Sequence, residues 1–555
     1  MTKSSKSTKS SKSTKATKST KAGKKRVRVK VRKTSTKSQK RGGKTDKTSE
    51  TDEYDSNMIK VEDLVHRGSQ MNLQINEPNT AQLNLYRQVV FNFIKKKKLL
   101  LYGGLAYHFL LLTADPKSGG IYESENDYDY DFYSPNSIAD SIELANIMHE
   151  HDFPFIKRMV GSSGQVFKIQ VNTSLDVADI SYIPKAIYDH IPRIKAKNGI
   201  YCVDPSFARI DFYKALLDVP FSMWRWAKDF ERLMLIEKNY PMKALRIGGE
   251  ANYDSEVAIP KKIIEQIVSD FVYPIGSPND PTVVVTGELA YNYYFSLIPR
   301  GTNKVGGSKE SNFADYSGTI VKTDISEIAL YSIDPKNTIT EIANIVFSIC
   351  SVKGTKYQKD KFFVYEHTPF MKMIGKSYTI VYRTDSGLYP PAPQTVDNVI
   401  VRVFEPIQHV LPYKVGKMSK NASVNLQDFF GILQYFHIMA IIDYEKSDEY
   451  HGRVCDLKIM HQKYIAKHPK LLATDDTNPF QIMLTTGMET NYDSKIKIAM
   501  TGKCVTKYLP EVAMKEPGEY NDYLEFYNDM DAKQSGNVIS EMSLEEFLLA
   551  DKQND

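Results

Sequence analysis

Cysteine is scarce in this sequence and its placement has no pattern: Cys202, Cys350, Cys455 and Cys504 are the four in 555 residues, with no C-x-x-C spacing. That excludes a zinc ribbon and a disulfide framework, and a reducing, intracellular compartment is expected. No run of about 18 apolar residues occurs, and no apolar stretch of the signal-peptide kind opens the chain. A soluble, non-secreted protein with no membrane contact is expected. The 11 histidines show no ligand spacing; His149 and His151, two apart, diverge on a helix. A phosphate loop is missing too. Gly42-Gly43-Lys44-Thr45 ends like one, but Ser38 stands where the motif needs its first glycine.

Acidic residues are nearly absent from the first 50 positions. Of the chain's 73 Lys and Arg, 19 fall there against Asp46 and Glu50, so the other 505 residues carry 54 basic against 65 acidic side chains. A polyanion meeting the folded body must therefore find a local basic surface. Residues 1–55 repeat Lys, Ser and Thr with almost no apolar content, which cannot offset the entropy of ordering. A disordered basic tail is expected there, acting as a tether to nucleic acid or as a solubilising segment.

From Ala81 onward the apolar residues recur with a regular period. Leu83, Tyr86, Val90, Phe93 and Ile94 mark an amphipathic helix closed by Lys95–Lys98. The strand Leu99–Tyr102 comes next, ends in Gly103-Gly104, and runs into a second helical pattern at Leu105–Leu110. The plan recurs. After a helix near Lys261–Val272 come Val283-Val284-Val285 and Thr286-Gly287-Glu288-Leu289-Ala290-Tyr291, matching Tyr102-Gly103-Gly104-Leu105-Ala106-Tyr107. Tyr133-Ser134 and Glu143-Leu144-Ala145-Asn146 correspond, at one shared offset, to Tyr331-Ser332 and Glu341-Ile342-Ala343-Asn344. Two copies of one α/β (α+β) domain are expected, over residues 56–245 and 246–515, with an acidic tail over 516–555. In the second copy Glu288, Glu327 and Ala329 replace Gly104, Asp129 and Asp131, so that copy is expected to be degenerate. Val424–Tyr444 reads as one long apolar helix of the core or of a dimer interface.

Asp127, Asp129 and Asp131 alternate with aromatics, and strand periodicity puts all three on one face. Carboxylates this close stay ionised only beside cations, and Mg²⁺ typically takes one or two of them together with substrate phosphates. The Gly103-Gly104 turn presents unobstructed N–H groups at a helix N-terminus, a place suited to a triphosphate. In the strand-like run Leu175–Tyr182, Asp179 is enclosed by Ala178 and Ile180 and needs a cation to be buried; Asp176 is the competing choice, nearer the solvated start. Asp127 with Asp129 is spaced identically to Asp129 with Asp131, and the match to the second copy favours the later pair.

The order of strand, Gly-Gly, helix, Asp-x-Asp and a further strand with Asp resembles the DNA polymerase beta-like nucleotidyltransferase superfamily. Leu101–Tyr107, Asp129-Tyr130-Asp131-Phe132, Arg209–Leu216 and Trp224-Arg225-Trp226 make residues 80–240 similar to the poly(A) polymerase catalytic subunits of large DNA viruses, of poxvirus and mimivirus-like type. The resemblance implies a metal pair at Asp129 and Asp131, a third carboxylate at Asp179, a phosphate turn at Gly103 and Gly104, and a phosphate contact at Lys214. It implies two Mg²⁺ or Mn²⁺ ions, ATP as substrate and template-independent addition of AMP to an RNA 3′ end, in the host cytoplasm at the viral factory or packaged in the virion. It also implies a viral processivity partner; the alternative is grip from the basic tail and the degenerate second copy, through a homodimer enclosing the RNA. Two departures stand out: Gly104 replaces the superfamily's frequent Ser, and the long insert Thr113–Asn126 forms a rim loop. A CCA-adding or small-molecule nucleotidyltransferase shares these acids, and a non-catalytic RNA-binding scaffold shares the fold. Arg225, Lys228 and Arg232 share one helix face, read as solvated because Asp229 and Glu231 dilute it.

Overall fold

The computed structural model describes residues 64, 80–122, 128–153, 155–160, 166–172, 175–218, 222–242, 260–275, 281–298, 304–305, 318–320, 322–367, 375–385, 395–418, 422–472, 477–481, 487–490, 507–508 and 538–553. The basic segment 1–55 and Asp127 lie outside the described residues.

The first helix, α1 (Thr80–Lys97), ends on Lys95, Lys96 and Lys97, cations that favour the negative end of the helix. Lys98 turns the chain at a φ of 56°, and the fully buried β1 (Leu100–Tyr102) comes next. Gly103, at a φ of +72°, then bends the backbone straight into α2 (Gly103–Ala114), a left-handed geometry that L side chains resist. Next come β2 (Tyr130–Ser134), α3 (Ser137–Glu150), β3 (Lys157–Val160), β4 (Val166–Val171), β5 (Leu175–Tyr182), β6 (Arg193–Lys195) and β7 (Tyr201–Val203). Asp204 caps α4 (Pro205–Leu217), accepting from Ser206 N at 2.8 Å, and α5 (Trp226–Asn239) packs on it.

The second half repeats the plan with β8 (Val283–Thr286), α6 (Gly287–Leu297), β9 (Ile328–Ser332), α7 (Pro335–Cys350), β10 (Phe362–His367), β11 (Ser377–Asp385), β12 (Thr395–Phe404), β13 (Val410–Lys417) and β14 (Ser423–Gln427). Short strands β15 (Gly487–Glu489), β16 (Lys507–Tyr508) and β17 (Val538–Ser543) complete the sheets. The first sheet runs β16-β3-β4-β5-β2-β1-β7-β6 and the second β17-β10-β11-β12-β9-β8-β14-β13-β15. Order and direction agree strand for strand from β3 to β6 and from β10 to β13. In both, the strand before the glycine turn is antiparallel to the next (β1 with β2, β8 with β9), which is in turn parallel to the long strand beyond (β5, β12). Gly287, with a φ of +65°, repeats the turn of Gly103. The fold is thus mixed α/β, one sheet topology used twice.

Helix α8 (Phe429–Ile442), buried along nearly its whole length, packs on α4, α6 and α9 (Ser447–Lys467). Gln434 Nε2 donates to Ile210 O at 3.2 Å, and Tyr213 stacks on Phe430 with ring centres 5.5 Å apart. Glu237 of α5 is held by Arg209 at 3.1 Å and by Lys458 of α9 at 2.5 Å, and these two cations hold its carboxyl below its ordinary value despite burial.

One segment differs from the reading of the sequence, and one adds detail to it. The apolar stretch Val424–Tyr444 is a strand up to Gln427 and a helix only from Phe429. The break falls at Asp428, which caps α8 by accepting from Gly431 N at 2.9 Å. The alternation Val424-Asn425-Leu426-Gln427 is a strand pattern only four residues long, too short to stand out beside the long apolar run that follows it. The acidic tail, expected to be partly ordered, is ordered at its end: β17 pairs antiparallel with β10 at the sheet edge and leads into α10 (Leu544–Lys552), which opens on a Ser543–Glu546 capping box and buries Leu544, Phe547 and Leu548. The Ser-x-x-Glu signature before an apolar run was visible there.

Candidate active site

The site lies where β1 ends and β2 begins, beside the N-terminus of α2, with Asp179 of β5 and Lys168 of β4 next across the sheet. Strand β2 begins at Tyr130, so Asp131 is in the strand, whereas Asp129 leads into it. Asp131 faces Tyr102 on β1 and Asp179 on β5. Gly103 presses on Asp131 so closely that a Cβ there would overlap its Oδ2. The first turn of α2 and the carboxylate of Asp131 therefore bound one space.

Asp179 is buried, and Asp176 sits at the more exposed start of the strand, as expected. The cation that the buried Asp179 requires is Lys168, directly opposite on β4: its Nζ lies 3.0 Å from Oδ2 and 3.1 Å from Oδ1, and 3.4 Å from Asp176 Oδ2. Gln170 holds the other oxygen of Asp176 at 2.7 Å. Burial, and then the charge of Asp179, raise the Asp129 carboxyl above its ordinary value, with Lys168 pulling it back. Beneath the acids lies a floor of buried tyrosines. Tyr102 and Tyr133 stack with ring centres 4.2 Å apart, Tyr102 Oη and Ser181 Oγ share a hydrogen bond of 2.6 Å, and Tyr107 donates to Asp211 of α4. Burial, then the neighbouring carboxylates, drive Tyr102 and Tyr107 well above the phenol range. Both stay neutral donors at any working pH.

Gly104 lies where a side chain would overlap Tyr122 Oη and come within 3.4 Å of Arg232 Nη1. Tyr122 belongs to the insert after α2; its backbone N–H and that of Ile121 donate to His108 Nδ1 at 3.2 and 3.0 Å. The guanidinium of Arg232 lies 5.5 Å from the Tyr122 ring centre. The reading of Arg225, Lys228 and Arg232 as a solvated face holds for Arg225 and Lys228, which are exposed, and is corrected for Arg232. Arg232 is buried, and Asp229, buried between them, is ion-paired to Arg225 at 3.4 Å, so the acid thought to dilute the face orients it from within. Lys228 lies close enough to Asp129 to feel its charge; burial, then Arg232 and Arg225, lower its ammonium below the ordinary value. Sequence spacing showed the shared face, but not that Arg232 turns toward Gly104. Lys214 lies half-buried on α4, one turn from Asp211.

These donors are hard oxygens and suit a divalent cation of the Mg²⁺ or Mn²⁺ kind. Among the described residues no three acidic, His or Cys side chains converge closely enough to cage one ion. The set fits an ion held by Asp129 and Asp131 and completed by substrate phosphates.

The equivalent place in the second sheet is filled from within. Glu288, in the position of Gly104, accepts from Ser326 N at 2.6 Å and Glu327 N at 3.3 Å. Arg402, in the register position of Asp179, pairs with Glu327 at 2.7 Å.

Residues 88–222 match the family model described as poly(A) polymerase catalytic subunit. A protein of Acanthamoeba polyphaga mimivirus, provisionally named a poly(A) polymerase catalytic subunit, is 25% identical over 65% of this chain and 58% of its own length. A protein of the same provisional name from African swine fever virus (isolate Pig/Kenya/KEN-50/1950) is 32% identical over 35% of this chain and 41% of its own. The aligned part thus spans about three-fifths and two-fifths of these relatives. The crystal structure of the Megavirus polyadenylate synthase superposes with a TM-score of 0.61 at 20% identity, over 91% of this chain and 95% of that one. The fold is shared.

Proposed function

We propose that this chain, whose residues 88–222 carry the catalytic-subunit domain of the poly(A) polymerase family, is a template-independent polynucleotide adenylyltransferase that transfers AMP from ATP to an RNA 3′ end and releases pyrophosphate. The observation that carries the reading is the meeting of Asp131 with both Asp179 and Gly103: a carboxylate cluster set against a bare helix N-terminus. The domain limits of 56–245 for the catalytic copy and 246–515 for the degenerate one are part of the proposal, supported by the repeated sheet order.

In this reading the α2 N-terminus and its glycine N–H groups hold the triphosphate, since backbone donors and the helix dipole both favour anions. Arg232 and Lys228 close over the same place, and Tyr122 orients Arg232. Lys214 is proposed as a further phosphate contact. Asp129 and Asp131 would hold two divalent ions, whose chemistry is to lower the pKa of the attacking hydroxyl and to neutralise the leaving pyrophosphate. Asp179 would complete the metal site on the side of the primer 3′-hydroxyl, lending an oxygen to the ion there so that the hydroxyl is oriented for in-line attack. Tyr102 and Tyr107, held by Ser181 and Asp211, wall the underside of the acids.

Incubation of the purified protein with an RNA primer and each NTP separately, with Mg²⁺ or Mn²⁺, tests the proposal. Extension with ATP alone supports it. Extension with CTP and ATP in turn indicates a CCA-adding enzyme, and RNA binding with no extension indicates a scaffold.

A further inference from the structure

Lys168 sits among the site's acids but has no task in the adenylate transfer proposed for them. Its strand, β4, pairs antiparallel with β5, and a bulge between Ile169 and Gln170 sets it directly across from Asp179. The ammonium contacts both oxygens of that carboxylate, at 3.0 and 3.1 Å. Those are the atoms that a divalent ion reaching Asp179 would need. Burying a carboxylate costs several kcal/mol or more unless a cation pairs with it. A second seat for the ammonium is prepared beside the first: Asp176 Oδ2 lies 3.4 Å away, and Gln170 fixes that carboxylate from its other side. Asp176 is also the more solvated of the two acids, its side chain 37% exposed against 9% for Asp179.

Resting on the assignment of Asp129, Asp131 and Asp179 as the metal-facing acids, we propose that Lys168 is the resident counter-ion of the site. It neutralises Asp179 while no divalent ion is bound, moves to Asp176 when one enters, and so sets the metal affinity. It is a positioning residue. Its work is an exchange of cations on Asp179 in which no bond forms or breaks.

Direct binding of Mn²⁺ to the full chain without nucleotide, measured by calorimetry, reads this out apart from activity. Lys168→Met, which keeps the stem and removes the charge, should lower the Mn²⁺ dissociation constant by about tenfold, since the ion no longer displaces a cation. Asp176→Asn removes the second seat and should raise it several-fold, and Lys168→Arg should leave it near wild type. Circular dichroism confirms that each variant is folded; if Lys168→Met is not, the direction for the more exposed Asp176→Asn decides. Mn²⁺ binding unchanged or weakened in folded Lys168→Met, or unchanged in Asp176→Asn, overturns the proposal. Asp131→Asn separates the two readings. If it retains wild-type Mn²⁺ binding, the metal assignment itself fails; if it loses binding while Lys168→Met binds as wild type, only the role of Lys168 fails.

Discussion

Asp179 and Arg402 hold the same register position in two sheets of the same topology: Asp179 faces Asp131 across β2 and β5, and Arg402 faces Ala329 across β9 and β12. Where the first copy gathers carboxylates, the second has a guanidinium on Glu327 and no acid at Ala329. The cation of the second copy is built into the chain.

That difference gives a stability prediction. Arg402→Met leaves Glu327 buried without its partner, a change that costs about 3–5 kcal/mol when a buried pair is broken. Urea unfolding should show a loss of that order, and adenylate transfer by the fraction still folded should stay near wild type.

Glu288 gives a pH prediction. Burial first, and then Glu327, push its carboxyl from the ordinary 4.5 up to about 7. The folded state then holds a proton that the unfolded state releases, so stability falls as pH rises through that window. Glu288→Gln keeps an acceptor for Ser326 N and removes the titration. Thermal melts should show the variant gaining on wild type by up to about 3 kcal/mol above pH 7, with the gain vanishing near pH 4.

The two turn glycines should respond differently. Gly103→Ala forces a left-handed φ on a residue whose Cβ overlaps Asp131, so it should displace that carboxylate and remove activity as well as about 1–2 kcal/mol of stability. At Gly287 the added Cβ meets Ala329 Cβ at 3.0 Å. Gly287→Ala should cost stability alone. Parallel urea titrations and primer extension separate the two.

Arg232 should act on ATP. Arg232→Ala is expected to raise the KM for ATP by about 10- to 100-fold, the worth of one or two charge-assisted hydrogen bonds to phosphate. Tyr122→Phe should produce a smaller rise, because it loosens Arg232 without removing its charge. An unchanged KM in both would remove this helix face from the phosphate site.

The glycine turn, Asp131, Asp179 and the duplication were readable because each rests on short-range pattern: a strand ending in Gly-Gly, an alternating strand with one enclosed acid, words repeated at a fixed offset. What was not readable depends on register and on helix rotation. Asp179 visibly needed a cation, and a metal was the natural inference. The residue that meets the need, Lys168, is reached only through a bulge that shifts the β4–β5 pairing by one, so counting back from the turn misplaces it. Arg232 was hidden differently. Its spacing with Arg225 and Lys228 shows one face but not which way it points, and the buried Asp229 looked like a surface charge. The break at Asp428 was missed because the strand before it alternates apolar and polar over only four residues, Val424 to Gln427, before the apolar helix begins.

Primer extension by Asp131→Ala is the most direct test of the central claim. The variant should fold as wild type by circular dichroism and lose ATP-dependent addition to an RNA 3′ end by at least about a thousandfold, in Mg²⁺ and in Mn²⁺ alike. Tail addition at the wild-type rate by folded Asp131→Ala would contradict it.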